Sequence, residues 1–207
     1  MGEDRFTRVD RMPPSGQDDV SVLVARARLG DFDACRRLFR SHLGFVHRVV
    51  YRLTGPGPDV EDFVQGSFVE AFRALPSFRG EALFTTWLTR IAVRVTMRSA
   101  RRRTGRHVPL EAAPEPATDA PGPDRVVEAR QALRLLDRLL DEMRPKRRAA
   151  FVLHVLEGYS MEEAAAILNT SVAAVKVRVH DARKQIESRC KTRPDLAAWM
   201  TQRGGNS

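Results

Sequence analysis

The chain has 207 residues, 43% of them hydrophobic, and carries 35 Lys and Arg against 26 Asp and Glu, for a formal net charge of +9. That balance points to a polyanionic partner, while apolar runs of only a few residues exclude a membrane-spanning helix, which needs roughly 20. Two cysteines, Cys35 and Cys190, exclude a disulfide framework and a cysteine-rich zinc site.

The start, MGEDRFTRVDRMPPSGQDD, reads as neither secretory signal nor anchor, so residues 1–17 are expected to form a flexible tail and the location to be cytoplasmic, without membrane insertion. Beyond it, apolar residues recur at spacings of three and four, the period of amphipathic helices. Helices are predicted over Asp19 to Leu29, Phe32 to Leu53, Val60 to Leu75 and Phe84 to about Arg103. Breaks at Gly30, at Gly55 to Pro58 and at Pro76 to Gly80 separate them.

On the third helix, Val60, Phe63, Val64, Ser67, Phe68, Ala71 and Leu75 point inward, and Asp62, Gln65, Gly66, Val69 and Arg73 lie outward. Glu61, Asp62 and Glu70 have no His or metal-ligand partner at helical spacing, so this face reads as a solvated or partner-binding surface rather than an acid-base centre. Gly66, which costs about 1 kcal/mol in a helix interior, leaves room for the close approach of another surface. In the fourth helix Leu88, Ile91, Ala92 and Val95 form a buried face. From Ala82 to Leu110 there is no acidic residue, and Arg90, Arg94, Arg98, Arg101, Arg102, Arg103 and Arg106 supply seven positive charges. Like charges four residues apart repel unless an anion neutralises them, which nucleic-acid phosphate would do. Trp87 projects beside this stripe, preceded by Phe84 and Phe78; an aromatic beside a basic track is a stacking platform for an unpaired base, and core packing is the competing reading, the better one for Phe78 and Phe84 individually.

GRHVPLEAAPEPATDAPGPD, residues 105–124, has five prolines in 20 residues and cannot fold alone. It reads as an extended linker, and after Arg106 its only charges are Glu111, Glu115, Asp119 and Asp124. Beyond it, Ala129, Leu133, Leu136, Leu140 and Met143 mark an amphipathic face, and Pro145 stands where a helix can begin. EGYSMEEAAAILNTSVAAVKVRVHDARKQIE then follows helix-turn-helix grammar. Gly158 ends one helix, Ser160 and Glu163 form a capping box, Leu168-Asn169-Thr170 makes a turn and Ser171 caps the last helix. On that helix Val175, Val179, Ala182 and Ile186 face the core. Ala173, Lys176, Val177, His180, Asp181 and Lys184 lie opposite, where a major groove would meet them, with Arg178 and Arg183 at the flanks for phosphate or an internal ion pair. Asp181 can accept from cytosine N4, and His180 reads as a groove contact. The tail, residues 193–207, with Leu196, Trp199 and Met200, reads as a short turn and a frayed end.

Taken together, DVEDFVQGSFVEAF, FRGEALFTTWLTRIA with its arginines, and PKRRAAFVLHVLEGYSMEEAAAILNTSVAAVKVRVHDARKQI resemble three ordered segments of the extracytoplasmic-function (ECF) sigma factors of bacterial RNA polymerase. The resemblance spans about Asp18 to Arg189. It implies an all-α chain of two helical domains: a region 2-like domain over 18–104, the linker, and a region 4-like helix-turn-helix domain over 125–192. It further implies that Asp62, Gln65, Val69 and Arg73 meet the clamp helices of the polymerase largest subunit. Phe84, Trp87, Arg90, Arg94, Arg98 and Arg101 would hold the non-template strand at the -10 element. Ser171, Lys176, Val177, Arg178, His180, Asp181, Arg183 and Lys184 would meet the -35 element. An anti-sigma partner, and a linker threading towards the RNA exit channel, are implied in the same way. The sequence departs from the family pattern at Gly66 and Arg98, where an acidic residue is usual, at Arg94 (Asn), at Val177 (Ser) and at Asp181 (Arg). No catalytic residue, metal or cofactor is expected. A helix-turn-helix regulator that binds duplex DNA without polymerase is the alternative, and a compact free form would imply that polymerase or a released partner must separate the two domains.

Overall fold

The computed structural model describes residues 17–102 and 135–192, all of whose regular elements are helical, in agreement with the all-α expectation. The first half comprises α1 (Gln17–Arg28), α2 (Phe32–Thr54), α3 (Val60–Ala74) with a 3-10 turn at Leu75–Ser77, and α4 (Phe84–Arg102). In the second half α5 covers 135–141, α6 (Pro145–Phe151) runs on into a π-helical turn at Val152–Leu156, and α7 (Met161–Leu168) and α8 (Val172–Thr192) complete the chain's described part. The tails, the proline-rich linker, Ala129, Leu133, Leu196, Trp199 and Met200 lie outside the described residues.

Local chemistry sets the boundaries where the sequence placed them. Asp31 caps α2 by accepting from the Asp33 and Ala34 amides at 2.9 and 3.1 Å, and the Ala34 amide together with the Arg26 guanidinium holds its carboxyl below its ordinary value. The capping box is formed at α7: Glu163 N–H donates to Ser160 Oγ at 3.0 Å and Ser160 N–H to Glu163 Oε2 at 2.8 Å. Asn169 makes the turn in the left-handed region at φ 49, and the Ala174 amide donates to Ser171 Oγ at 3.2 Å to start α8.

The first core gathers Leu38, Val46, Val64, Phe68, Leu75, Leu88 and Ile91 between α1 and α4. His42 is buried within it, its Nδ1 on the Leu38 carbonyl at 3.0 Å, and burial pushes its pKa down, so the ring is neutral at pH 7. A second core joins the halves: Val49 and Leu53 of α2 and Val93 of α4 pack with Leu140, Met143, Ala149, Tyr159 and Val175. Helix α4 is therefore buried on two faces, and Thr89 reaches across it to share a 2.9 Å hydrogen bond with Tyr159 Oη.

Polar contacts reinforce the junction at the end of α2. Glu157, only 5% exposed, binds Arg52 Nη1 at 2.6 Å and Arg48 Nη2 at 3.3 Å. Arg148 Nε donates to the Arg52 carbonyl at 2.7 Å and its Nη1 to Asp141 Oδ1 at 2.7 Å, so a cation from the second half satisfies a terminal carbonyl of α2. Gly55 follows at φ +83, and a Cβ there would sit 2.5 Å from Asp141 Oδ1; neither the turn nor the approach admits another residue. The π turn aims Glu157 inward, with its amide bonded to Val152 O at 2.9 Å.

Tyr51 Oη donates to Asp137 Oδ2 at 3.0 Å across the same junction, and burial, with the neighbouring Asp137 carboxylate, pushes the phenol up to about 12. A raised folded value means that the contribution of this group to the packed form is full below about pH 10, its unfolded pKa, and is lost as pH climbs towards the folded value. The absorbance change that disappears in Tyr51→Phe is expected to centre near pH 12, and in Glu157→Ala, with the junction loosened, to move back towards 10. Ionisation near pH 10 in the native chain would show that the halves are not joined as described.

Between α3 and α4 a Cβ at Gly66 would lie 3.6 Å from Val95 Cγ1, an ordinary contact. The surface to which Gly66 gives room is thus α4 of the same chain. Gly66→Ala is expected to stabilise the fold by about 0.5–1 kcal/mol through helix propensity, measured by urea unfolding.

Candidate nucleic-acid interface

Two of its three long faces being buried, α4 offers solvent only the third. Arg90, Arg94 and Arg98 are exposed along it, spaced one turn apart because their interval is four residues. Arg101 belongs to the same helix, its side chain lying outside the described residues. Trp87 is half-buried at the head of the stripe, with its ring centroid 4.9 Å from that of Phe78 and 5.5 Å from that of Phe84. Phe84 is only 8% exposed and meets His42 edge-on at 5.1 Å. The Phe84 ring packs in the core, as the core reading of this residue expects, and supports Trp87, the one aromatic of the three left partly open.

The stripe is not without an acid. Glu70 of α3 places Oε1 3.3 Å from Arg94 Nη2 and 3.5 Å from Arg98 Nη2. Arg90 makes no ion pair among the described residues. The sequence placed Glu70 on a solvated face because its pairing crosses between helices and has no local signature. Glu61 likewise finds a histidine, His47 of α2, at 3.3 Å. Groups of His, Cys, Asp and Glu that could hold a metal are absent among the described residues.

Along α3, Asp62, Gln65, Val69 and Arg73 are all exposed and fall on one face by their spacing of three and four. Val69 is half exposed, an apolar side chain in an otherwise polar stripe.

On α8, Val175, Val179 and Ala182 are buried and Ile186 is partly so, as the helical wheel requires. Ser171, Lys176, Val177, His180 and Lys184 are exposed, and Arg178, Asp181 and Arg183 are intermediate. Asp181 does not stand alone: Arg147 at the start of α6 puts Nη2 3.4 Å from Asp181 Oδ2 and Nη1 2.8 Å from Gln185 Oε1. Spacing along the sequence gives no sign of Arg147, since its partner lies 34 residues away. On Glu142, Arg189 Nε at 2.6 Å and Gln185, whose Nε2 donates to the Glu142 carbonyl at 3.2 Å, tie the far end of α8 to the loop after α5. The groove-facing part is thereby carried on a braced helix.

An exposed basic face beside a half-buried aromatic and a braced helix-turn-helix on one chain are the features of an all-α nucleic-acid-binding protein. The family models for sigma-70 region 2 and sigma-70 region 4 match residues 38–106 and 133–186. The ECF RNA polymerase sigma factor SigE of Mycolicibacterium smegmatis is 33% identical over 189 residues, covering 88% of this chain and 72% of that protein. The ECF RNA polymerase sigma-E factor of Escherichia coli is 33% identical over 178 residues, covering 81% and 92%. The solved structure of CnrH in complex with the cytosolic domain of CnrY matches with a TM-score of 0.62 at 27% identity, covering 84% of this chain and 99% of that one. The chain belongs to the ECF sigma factors.

Asp181→Ala is expected to release Arg147 and remove a carboxylate from the groove-facing side. Affinity for random-sequence duplex should then rise roughly two- to fivefold, the scale of one exposed ion pair, while preference among sequences falls. Unchanged affinity and unchanged preference in a fluorescence-anisotropy titration would remove Asp181 from the interface.

Proposed function

We propose that this protein is a promoter-specificity subunit that directs core RNA polymerase to defined promoters and assists DNA opening, without catalysis of its own. The observation that carries the reading is the simultaneous exposure, on one chain, of the α4 arginine face, the α8 groove face and the α3 stripe. Each face suits a different task. Arg90, Arg94, Arg98 and Arg101 attract backbone phosphate, and Trp87 offers an unpaired base a ring. Lys176, Val177, His180 and Lys184 project where base edges of the -35 element would lie, with Ser171, Arg178 and Arg183 placed for phosphate. Asp62, Gln65, Val69 and Arg73 form the docking stripe for the clamp helices of the largest polymerase subunit.

Family membership supports this reading over a helix-turn-helix regulator acting without polymerase, in which the first domain would serve as an interaction or dimerisation module. Among the described residues no helix is long and apolar enough to cross a membrane, which suits a cytoplasmic subunit. CnrH, a fold relative, was solved with the cytosolic domain of CnrY bound, and an anti-sigma partner is the corresponding proposal here. In the packed form the α2 junction fixes α4 and α8 in one relation. Promoter binding by both is proposed to follow release of that junction on polymerase.

Run-off transcription with purified core polymerase on a promoter library tests the reading. Transcripts from defined start sites should require this protein, and should be lost in Asp62→Ala/Arg73→Ala through weaker core binding. Trp87→Ala should retain promoter binding and lose opening, read by permanganate reactivity of unpaired thymines. Sequence-specific duplex binding by the protein alone, with no defined transcripts, would instead support the regulator.

A further inference from the structure

The arginine stripe of α4 carries a built-in anion. Glu70 reaches it from α3 with one oxygen shared between Arg94 and Arg98, at 3.3 and 3.5 Å. Its other oxygen, Oε2, is buried without a hydrogen-bond partner among the described residues. Glu70 is the less exposed member of both pairs, its side chain 28% accessible against 51% and 56% for the two arginines. The carboxylate is thus held back between the helices while both guanidinium groups remain open to solvent. Arg90, one turn earlier, has no such acid among the described residues.

That asymmetry has an electrostatic consequence. A carboxylate beside two guanidinium groups cancels one of their two charges, so a phosphate arriving at this part of α4 meets about half the field it would meet otherwise. Bridges as exposed and as long as these are weak and exchange readily, so phosphate can displace Glu70 where it can engage Arg94 and Arg98 together. The two lie about 6 Å apart along the helix axis, which favours a strand that presents phosphates in succession over an isolated anion.

We propose that Glu70 is a positioning residue that competes internally with strand phosphate for Arg94 and Arg98, lowering the affinity of the α4 face for single strands in general. This rests on the reading of α4 as a strand-binding face. Arg90 and Trp87 make the first, unopposed contact; Arg94 and Arg98 are delivered to a strand only by exchange. A free subunit with the full stripe unopposed would bind any single strand or RNA in the cell, and Glu70 reduces that tendency at the cost of some affinity for the intended strand.

The test uses the full chain and a fluorescein-labelled single-stranded DNA of mixed sequence, titrated by anisotropy across a salt series. Glu70→Gln keeps shape and removes charge; it should tighten binding about two- to fivefold at low salt and steepen the plot of log K against log salt by up to about 0.7 for each additional phosphate engaged. Glu70→Asp keeps the charge and should stay within about twofold of the native chain on the same scale. The tighter binding of Glu70→Gln should vanish when Arg94 and Arg98 are both alanine, a dependence that a general loosening of the fold would not show. Weaker or unchanged binding in Glu70→Gln, or equal tightening in Glu70→Asp, would overturn the inference while leaving α4 as the strand face, provided Arg94→Ala/Arg98→Ala still weakens binding. If the native chain, Glu70→Gln and the double alanine variant all fail to bind the strand or bind it alike, the strand-binding reading of α4 fails and Glu70's role with it.

Discussion

The end of α2 is where the two halves of this molecule become one. Arg48 and Arg52 lie one turn apart on that helix and both close on Glu157, while Arg148 returns from α6 to the carbonyl of Arg52. Each group here would be expensive to bury alone: a carboxylate at 5% exposure, a guanidinium nearly as enclosed, and a helix terminus with free carbonyls. Placed together, each supplies what another lacks. Gly55 permits the approach, because any Cβ at that turn would collide with the Asp141 carboxylate that completes the Arg148 site.

The rest of the architecture follows from that junction. Once the second half is fixed against α2, its apolar face meets α4, and Thr89, Val93 and Thr96 are covered in addition to Leu88, Ile91 and Ala92. A helix covered on two sides has one free face, and on α4 that face is the arginine stripe. Its charge is held away from both cores because every fourth position that would bring an apolar residue outward holds arginine instead. The basic face and the junction are thus two consequences of one placement of α4.

Elements with local causes were legible in the sequence. The capping box of Ser160 and Glu163, the turn at Asn169 and the buried row Val175, Val179 and Ala182 follow from spacing over a few residues. The resemblance of three segments to a known family supplied the assignment of faces, which no local spacing states. What spacing could not disclose were pairings over long stretches of chain. Thr89 and Thr96, outside the apolar face that periodicity picks out, are both buried, each satisfied by a carbonyl one turn back. Spacing gives no sign that Glu157 and Arg148 are buried, because their partners lie 96 to 109 residues away. Phe84, for which core packing is the better reading of the sequence, is buried against His42, Phe78 and Trp87.

The chemistry of the junction also bears on how readily it can part. A purely apolar contact of this extent would lose its whole hydrophobic stabilisation on opening, with no compensation from water. Here a large share of the contact is ionic: Glu157, Arg48, Arg52, Arg148 and Asp141 recover hydration when they separate, and Arg48 and Asp141 are already in contact with solvent. Desolvation and Coulomb attraction nearly cancel for such groups, so the polar part of the junction fixes the orientation of the halves more than it holds them. The attraction that remains comes from Val49, Leu53 and Val93 packed on the apolar side chains of the second half. The polar groups thus give the junction its geometry and the apolar side chains its attraction.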